Sequence, residues 1–368
     1  MKICKVISSF GHGKGGHFFD VFHITKELHK TYDIDVLNIG LTESPVIKKI
    51  TWCNTKFITK SNSFIRYLIE IFSFIKKNKY HIIHCYDSDS FYLLRLMFPF
   101  KKITFSKCGG PIPNKIFPNS ENIIVMSYDD YNFYNKMKIT PHFIPNRVNT
   151  DLLKNKDNTD AFLSQITNNK TSYLRIIRIT SFYEESINQF IDFCLKTNDN
   201  KSVYCLIGTI EDNDVYNRLK LKLINFNNLF ILSENNYTEN ASKWIHYFDV
   251  IYGTGRGVME ASMQGKSVIT YTKENKFPIL MTPERALKFL KTNFSERNSF
   301  HKISLSKTIE EIYTYKNLDI LKTFSDEYFN VKNASIKFKA FYKKTLLDNR
   351  KYYFKNLIGF VLLIKKYS

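Results

Sequence analysis

The richest run of chemistry-bearing residues is Asp249–Thr270, DVIYGTGRGVMEASMQGKSVIT. An apolar strand ends at Tyr252, the turn Gly253-Thr254-Gly255-Arg256-Gly257 follows, and a helix then carries Glu260. Glycines let a backbone approach a ligand closely, and the free N–H groups of a helix N-terminus favour an anion such as a diphosphate. Arg256 adds charge there, and Glu260, one turn on, can accept hydrogen bonds from the vicinal hydroxyls of a ribose. A second glycine-rich turn, Gly11-His12-Gly13-Lys14-Gly15-Gly16, joins the first strand to the first helix. It satisfies G-x-G-x-x-G, the dinucleotide pattern. The second strand, however, ends in Asn38 and Gly40, where such a site needs an acid for the ribose. Asp87-Ser88-Asp89 spells a metal–diphosphate motif, but a helix start capped by Ser88 or Asp89 explains it more simply. His12, His17, His23, His81 and His84 lack zinc spacing, so no metal site is expected; His17 and His84 are candidates for touching substrate.

These turns need elements to hold them. From Met1 to about Ile144 strand-like runs alternate with helical patterns: KICKVIS, HFFDVFHITKELHK, DIDVLNIG, the helix at 64–78, HIIHCY, KITFSK, NIIVMS. After a polar, Asn-rich stretch the alternation restarts with LRIIRIT, SVYCLIG, NNLFILS, DVIYGT and KSVITYT, with helices around 184–196, 213–225, 238–246 and 257–264. Such spacing predicts an α/β protein of two tandem doubly wound parallel sheets, with domains at 1–150 and 151–334. Ligands of open α/β sheets lie at the carboxyl ends of the strands, which places the expected site in the cleft between the domains.

Composition sets the outer bounds. The chain has 368 residues, 54 Lys plus Arg against 34 Asp plus Glu, and 15% aromatics. That much aromatic content excludes a disordered chain despite the net charge of +20. The opening MKICKVISSF reads as a strand and not a signal peptide, and six scattered cysteines read as reduced thiols, so a cytoplasmic protein is expected. From Val331 onward ten basic residues face Asp348 alone, interleaved with Phe338, Phe341, Tyr342 and Tyr352. A basic aromatic segment of that kind suits an anionic membrane surface, or equally a helix packed on the body of the protein. The helix at 64–81 offers a second candidate membrane face, although an ordinary core-facing helix is the reading preferred. No helix-turn-helix, zinc or RNP-type pattern points to nucleic acid.

Four segments in order resemble the GT-B glycosyltransferases, most closely glycosyltransferase family four. They are Gly15-Gly16 with its following helix, HIIHCYD at 81–87, Ile144-Pro145-Asn146-Arg147-Val148-Asn149-Thr150, and Gly253 to Gly265. The resemblance implies two Rossmann-like domains, a C-terminal helix at 335–368 that returns to the first, and a nucleoside-diphosphate-sugar donor. It also implies a retaining, metal-independent transfer without a cofactor, to a glycan or lipid-linked acceptor in bacterial surface-polysaccharide (lipopolysaccharide, O-antigen or capsule) synthesis, on the inner face of the plasma membrane. It assigns catalytic roles to Arg178 and Arg256, and donor binding to Gly15, Gly16, Gly255, Gly257 and Glu260. His17, His84, Asp87, Lys107 and Tyr252 are placed along the substrate cleft. The chain departs from the family where a second glutamate, eight residues before Glu260, is replaced by Tyr252. It departs again where the diphosphate-binding lysine is missing from Ser181–Ser186. Two alternatives follow from these features: an NAD-type oxidoreductase using Gly11–Gly16, and a non-catalytic binding protein on a decayed transferase scaffold.

Overall fold

In the computed structural model the described residues are 1–60, 63–114, 117–120, 122–149, 159–315 and 317–348, with Asn356 and Val361. Thr150, the stretch at 151–158 and almost all of the basic run after Asp348 lie outside them. The chain forms two compact units, Met1–Arg147 with the chain from Val331 onward, and Val148–Asn330.

The first unit is built on seven strands: β1 (Lys2–Ser9), β2 (Asp33–Gly40), β3 (Asn54–Thr59), β4 (Ile82–Cys85), β5 (Ile103–Lys107), β6 (Ile123–Val125) and β7 (His142–Phe143). Their order is 3-2-1-4-5-6-7 and every pairing is parallel. Helices α1 (Gly16–Leu28), α2 (Phe64–Asn78), α3 (Ser88–Met97) and α4 (Tyr128–Lys136) make the crossovers. Central strands of such a sheet are covered on both faces, and β1, β2 and β4 are accordingly buried along nearly their whole length. Helix starts are fixed by side-chain caps: Ser63 accepts from Arg66 N–H, Asp87 from Ser90 N–H and Ser127 from Asp130 N–H.

The second unit repeats the plan with β8 (Thr171–Ile176), β9 (Ser202–Ile207), β10 (Leu229–Leu232), β11 (Val250–Tyr252), β12 (Ser267–Thr270) and β13 (Ile279–Leu280), in the order 10-9-8-11-12-13. Only β12–β13 is antiparallel. Its helices are α5 (Ala161–Thr167), α6 (Glu184–Thr197), α7 (Asn213–Lys222), α8 (Asn235–Thr238), α9 (Arg256–Met263), α10 (Pro283–Phe289), α11 (Leu305–Thr314) and α12 (Leu318–Phe329). The expected helix at 238–246 is instead the short α8 followed by a 3₁₀ turn over Ala241–Tyr247. Its LRIIRIT strand begins earlier and stops at Ile176, which leaves Arg178 in the connection after it.

The C-terminal helix α13 (Val331–Leu347) returns to the first unit. Val331, Ala334, Phe338, Phe341 and Tyr342 pack with Ile3, Ile24, Leu28, Ile82 and Ile124 in one apolar cluster. The aromatic face of the basic tail, as far as Leu347, is therefore core. Lys102 Nζ donates to the carbonyls of Thr345 (3.3 Å), Leu346 (2.5 Å) and Asp348 (2.8 Å), neutralising the helix C-terminus.

Candidate functional site

Each sheet reverses direction at one place, between β1 and β4 in the first unit and between β8 and β11 in the second. The loops leaving those strands diverge there, and an open α/β sheet has its natural crevice at that point. The two glycine-rich turns seen in the sequence occupy these positions.

In the second unit, Gly255 is the N-cap of α9 with φ +56° and ψ −127°, a conformation that favours glycine, and its N–H donates to Phe294 O (2.5 Å). The turn is thereby fixed with the helix N-terminus open behind it. Gly265 (φ +70°) closes the other end, its N–H reaching Ser262 O while Lys266 N–H reaches Ala261 O, the paired bonds of a Schellman cap. Within the helix, Arg256 Nε donates to Glu260 Oε1 at 2.6 Å, both side chains being mostly buried. The two residues expected to act separately on phosphate and ribose are thus joined, and Arg256 orients the carboxylate of Glu260.

Arg178, in the connection after β8, is 43% exposed; it pairs with Glu211 at 3.3 Å and lies over the Tyr183 ring. Tyr252 does not line a surface. It is 1% exposed, stacked on Phe190 at 5.4 Å, and its hydroxyl has no hydrogen-bond partner. Burial pushes that hydroxyl up to about 12. The position before the turn is the inward-facing end of a covered strand, so a tyrosine there enters the core.

Directly across the ladder from Tyr252 is Arg175. Sequence reasoning passed over it; its only signal was a charge in the apolar strand TSYLRI. Arg175 is fully buried, donates to Ser186 Oγ (2.5 Å), and holds its guanidinium 4.2 Å from the centre of the Tyr252 ring. Its Nε and Nη1 have no hydrogen-bond partner. Burial lowers its affinity for the proton, with Tyr252 and Glu296 opposing.

In the first unit, Gly15 caps α1 in extended conformation and Gly16 opens the helix. Gly13 adopts φ +63°, and a Cβ there would sit 2.8 Å from the Ser44 backbone, so the loop is tightly seated. Its carbonyl accepts from Ser44 Oγ (2.6 Å). His17 follows, half-buried; burial lowers its pKa while Asp87 and Asp20 pull the other way. Asp87 itself is the N-cap of α3, in place of Ser88 or Asp89. Its carboxylate accepts from Ser8 N–H (2.7 Å), Ser8 Oγ (2.5 Å) and Ser90 N–H (2.8 Å), which ties the loop after β4 to β1.

Two expected substrate contacts are turned inward. His84 is wholly buried, with Nδ1 bonded to Tyr342 Oη at 2.7 Å and Nε2 to Ser106 Oγ at 2.8 Å, and burial drives its pKa well below the ordinary histidine value. It anchors α13 to the sheet. Lys107 is 3% exposed and folds back on the Gly109 carbonyl, over the Phe117 ring. The structure therefore keeps Gly15, Gly16, His17 and Asp87 together at one switch point. At the other, Gly255, Gly257, Arg256 and Glu260 follow β11 and Arg178 follows β8, while His84, Lys107 and Tyr252 are interior.

By sequence the chain matches no protein-family model and no curated protein. Solved structures do resemble it. HepE of Anabaena, in complex with UDP and glucose, superimposes with a TM-score of 0.67 at 10% identity, covering 92% of this chain and 99% of that one. The fold is GT-B. A glycosyltransferase from Rickettsia africae gives 0.67 at 17% identity over 95% and 99% of the two chains. A putative UDP-N-acetylglucosamine 2-epimerase from Listeria monocytogenes gives 0.59 at 12% identity over 95% and 98%. GT-B proteins thus include chains described as transferase and as epimerase, and the choice between them has to come from the site.

Proposed function

We propose that this protein is a glycosyltransferase that uses a nucleoside-diphosphate sugar. The observation that carries the reading is the α9 N-terminus, where an open glycine turn at the switch point is followed by a carboxylate, Glu260, held in place by Arg256. The turn's N–H groups suit a diphosphate, and Glu260, one helical turn deeper, suits the ribose hydroxyls. Likeness to HepE, itself solved with UDP and glucose, supports a donor of that class. As the sugar–phosphate bond breaks, negative charge grows on the phosphate oxygens. Fixed dipoles at α9 and the cation of Arg178 would oppose it without reorganising. In the same reading the transfer is retaining and needs no metal, and the acceptor is a glycan or lipid-linked glycan of the kind assembled in surface polysaccharides.

Tyr252 favours a second reading. Its place is that of the glutamate expected to face the donor sugar, and it lies in the core. A scaffold that binds nucleotide without turnover would tolerate that change.

The test is thermal unfolding with UDP, GDP, CMP and NADH, followed by release of nucleoside diphosphate from the matching sugar donor. Ligand at a hundred times its dissociation constant adds ~2.7 kcal/mol, which moves the melting point by several degrees. The transferase reading expects a shift with one nucleoside diphosphate and turnover of its sugar. In Glu260→Ala, affinity should fall by about tenfold to a hundredfold, the worth of charge-assisted hydrogen bonds. A shift without turnover on any acceptor selects the binding scaffold, and a shift with NADH alone removes both.

A further inference from the structure

Three guanidinium groups belong to the strand ends and the turn at the switch point of the second sheet, and acids match two of them. Arg256 is paired with Glu260 at 2.6 Å and Arg178 with Glu211 at 3.3 Å. Arg175 has the Ser186 hydroxyl and the face of the Tyr252 ring instead, and its Nε and Nη1 have no hydrogen-bond partner. It is 1% exposed all the same. A methionine of similar length would be as stable there or more so, because a buried cation has to be desolvated. Buried polar groups without partners are few in native proteins, and stability does not account for this one.

Its place in the fold supplies the reason. Arg175 and Tyr252 are register partners on adjacent parallel strands, so their side chains leave the sheet on the same face. The start of α6 covers that face, with Ser186 meeting the guanidinium and Phe190 the Tyr252 ring. Gly253 follows Tyr252 directly, and the turn runs from there to the N-terminus of α9. The Phe294 carbonyl holds the turn at Gly255, and two residues later stands Glu296, the carboxylate whose charge reaches Arg175. The cation thus lies below the turn, and burial at its own end keeps salt and water from screening it. A glutamate at position 252 would set a carboxylate beside the guanidinium and cancel it, whereas tyrosine offers only a ring face. The connection after Arg178, Ser181–Ser186, carries two acids and no base, so that loop supplies no further cation.

We propose that Arg175 acts from beneath the glycine turn as a fixed, uncompensated positive charge that draws a diphosphate to the N-terminus of α9 without touching it. The inference rests on the donor reading above and adds to it the source of the positive potential. A charge set in the core is already in place when the anion arrives, so no side chain has to be reordered to meet it. Tyr252 then has a use of its own, since it packs against the guanidinium and leaves its charge standing.

The full-length protein and its variants are titrated calorimetrically with the nucleoside diphosphate that raises the parent's melting point, and with the matching monophosphate and nucleoside (UDP, UMP and uridine where the base is uracil). A unit charge on the order of 10 Å away, through an effective dielectric of about 20–40, changes affinity by about fourfold to fifteenfold. Arg175→Met should therefore leave the nucleoside unaffected, weaken the monophosphate and weaken the diphosphate most, while melting no lower than the parent. Tyr252→Glu, which keeps Arg175 and neutralises it, should show the same graded loss. Ser186→Ala removes the hydrogen bond but not the charge and should bind all three ligands as the parent does. Equal losses for the three ligands in Arg175→Met, or no loss for any, overturn the proposal, as does parental diphosphate affinity in Tyr252→Glu. Glu260→Ala keeps the two readings apart, because it acts on the ribose that the three ligands share and should weaken them all. If it does so while Arg175→Met binds like the parent, the donor reading stands and this inference falls; a parent that binds no nucleotide ends both.

Discussion

The two sheets bury a cation in matching places and neutralise it differently. In the first unit Lys5, in the middle of β1, lies across the ladder from His84 of β4; in the second, Arg175 of β8 lies across from Tyr252 of β11. Both pairs sit where strand order reverses. Around Lys5 the protein supplies a carboxylate: Asp20 on α1 forms a fully buried ion pair with Arg147 and attracts Lys5. The Lys5 ammonium has no hydrogen bond and lies 5.5 Å from the Tyr86 ring and 5.7 Å from Phe338. Around Arg175 stand the Ser186 hydroxyl, the Tyr252 ring and the more distant influence of Glu296 and Tyr183. The first arrangement is a closed polar cluster that also fastens α13. The second leaves a cation of β8 short of hydrogen bonds beside the end of β11, from which the glycine turn leaves.

That contrast can be broken experimentally, unit by unit, because the chain has two tryptophans, Trp52 in the first unit and Trp244 in the second. Single-tryptophan backgrounds, Trp244→Phe and Trp52→Phe, report each unit in urea. The largest effect belongs to Asp20→Ala, which strands Arg147 without its partner and should cost the first unit about 3–5 kcal/mol. The Trp52 transition should move and the Trp244 transition should not. A shift in both would show that the units unfold together.

Lys5→Met comes next. It replaces a buried ammonium by an apolar chain of similar length and should stabilise the first unit by about 1–4 kcal/mol at pH 7. The pH dependence gives the sign. Burial lowers Lys5 to about 7 in the folded protein, against its ordinary value in the unfolded chain. Between pH 7 and 10 the unfolded chain therefore holds the extra proton, and parental stability rises with pH by up to roughly 1.4 kcal/mol per unit. The Lys5→Met gain should shrink from pH 7 to pH 9; a constant gain would mean that Lys5 is not desolvated. Asp87→Ala removes the α3 cap and the link to Ser8, with an expected loss of about 1–2 kcal/mol on the Trp52 transition. The smallest change is Tyr252→Phe, which keeps the ring over Arg175 and deletes a buried hydroxyl without a partner. The Trp244 transition should move by less than about 1 kcal/mol, in the stabilising direction.

Period and turn chemistry carried most of the fold into the sequence. Runs such as KICKVIS and HIIHCY are mostly apolar, without regular alternation of polar and apolar residues, because strands covered on both faces have no solvent side, and the glycine turns fall where strands meet helices. Element ends were less legible: LRIIRIT reads as one strand, yet β8 ends at Ile176, since sequence hydrophobicity does not stop where the hydrogen-bonded ladder does. The placement of the glycines, Arg256 and Glu260 was legible because it is local, set by spacing on one turn and one helix. His84 and Tyr252 were misplaced for the opposite reason. Whether a strand-end side chain faces a ligand or the core depends on what packs over it, here α13, hundreds of residues away, and Phe190 of α6. The tail's aromatics posed the same difficulty, since a helix periodicity identifies an apolar face without naming its partner.

The return of α13 to the first sheet also sets an order of events. The chain must complete all of Val148–Asn330 before the helix that covers Lys5, His84 and Ile124 exists. At ~5–20 residues per second of synthesis, that is roughly 10–40 s in which the second unit is being made and the first sheet lacks one of the helices that cover it. A nascent chain in that interval exposes the apolar strands that α13 will later hide, and it is then that a chaperone has most to do.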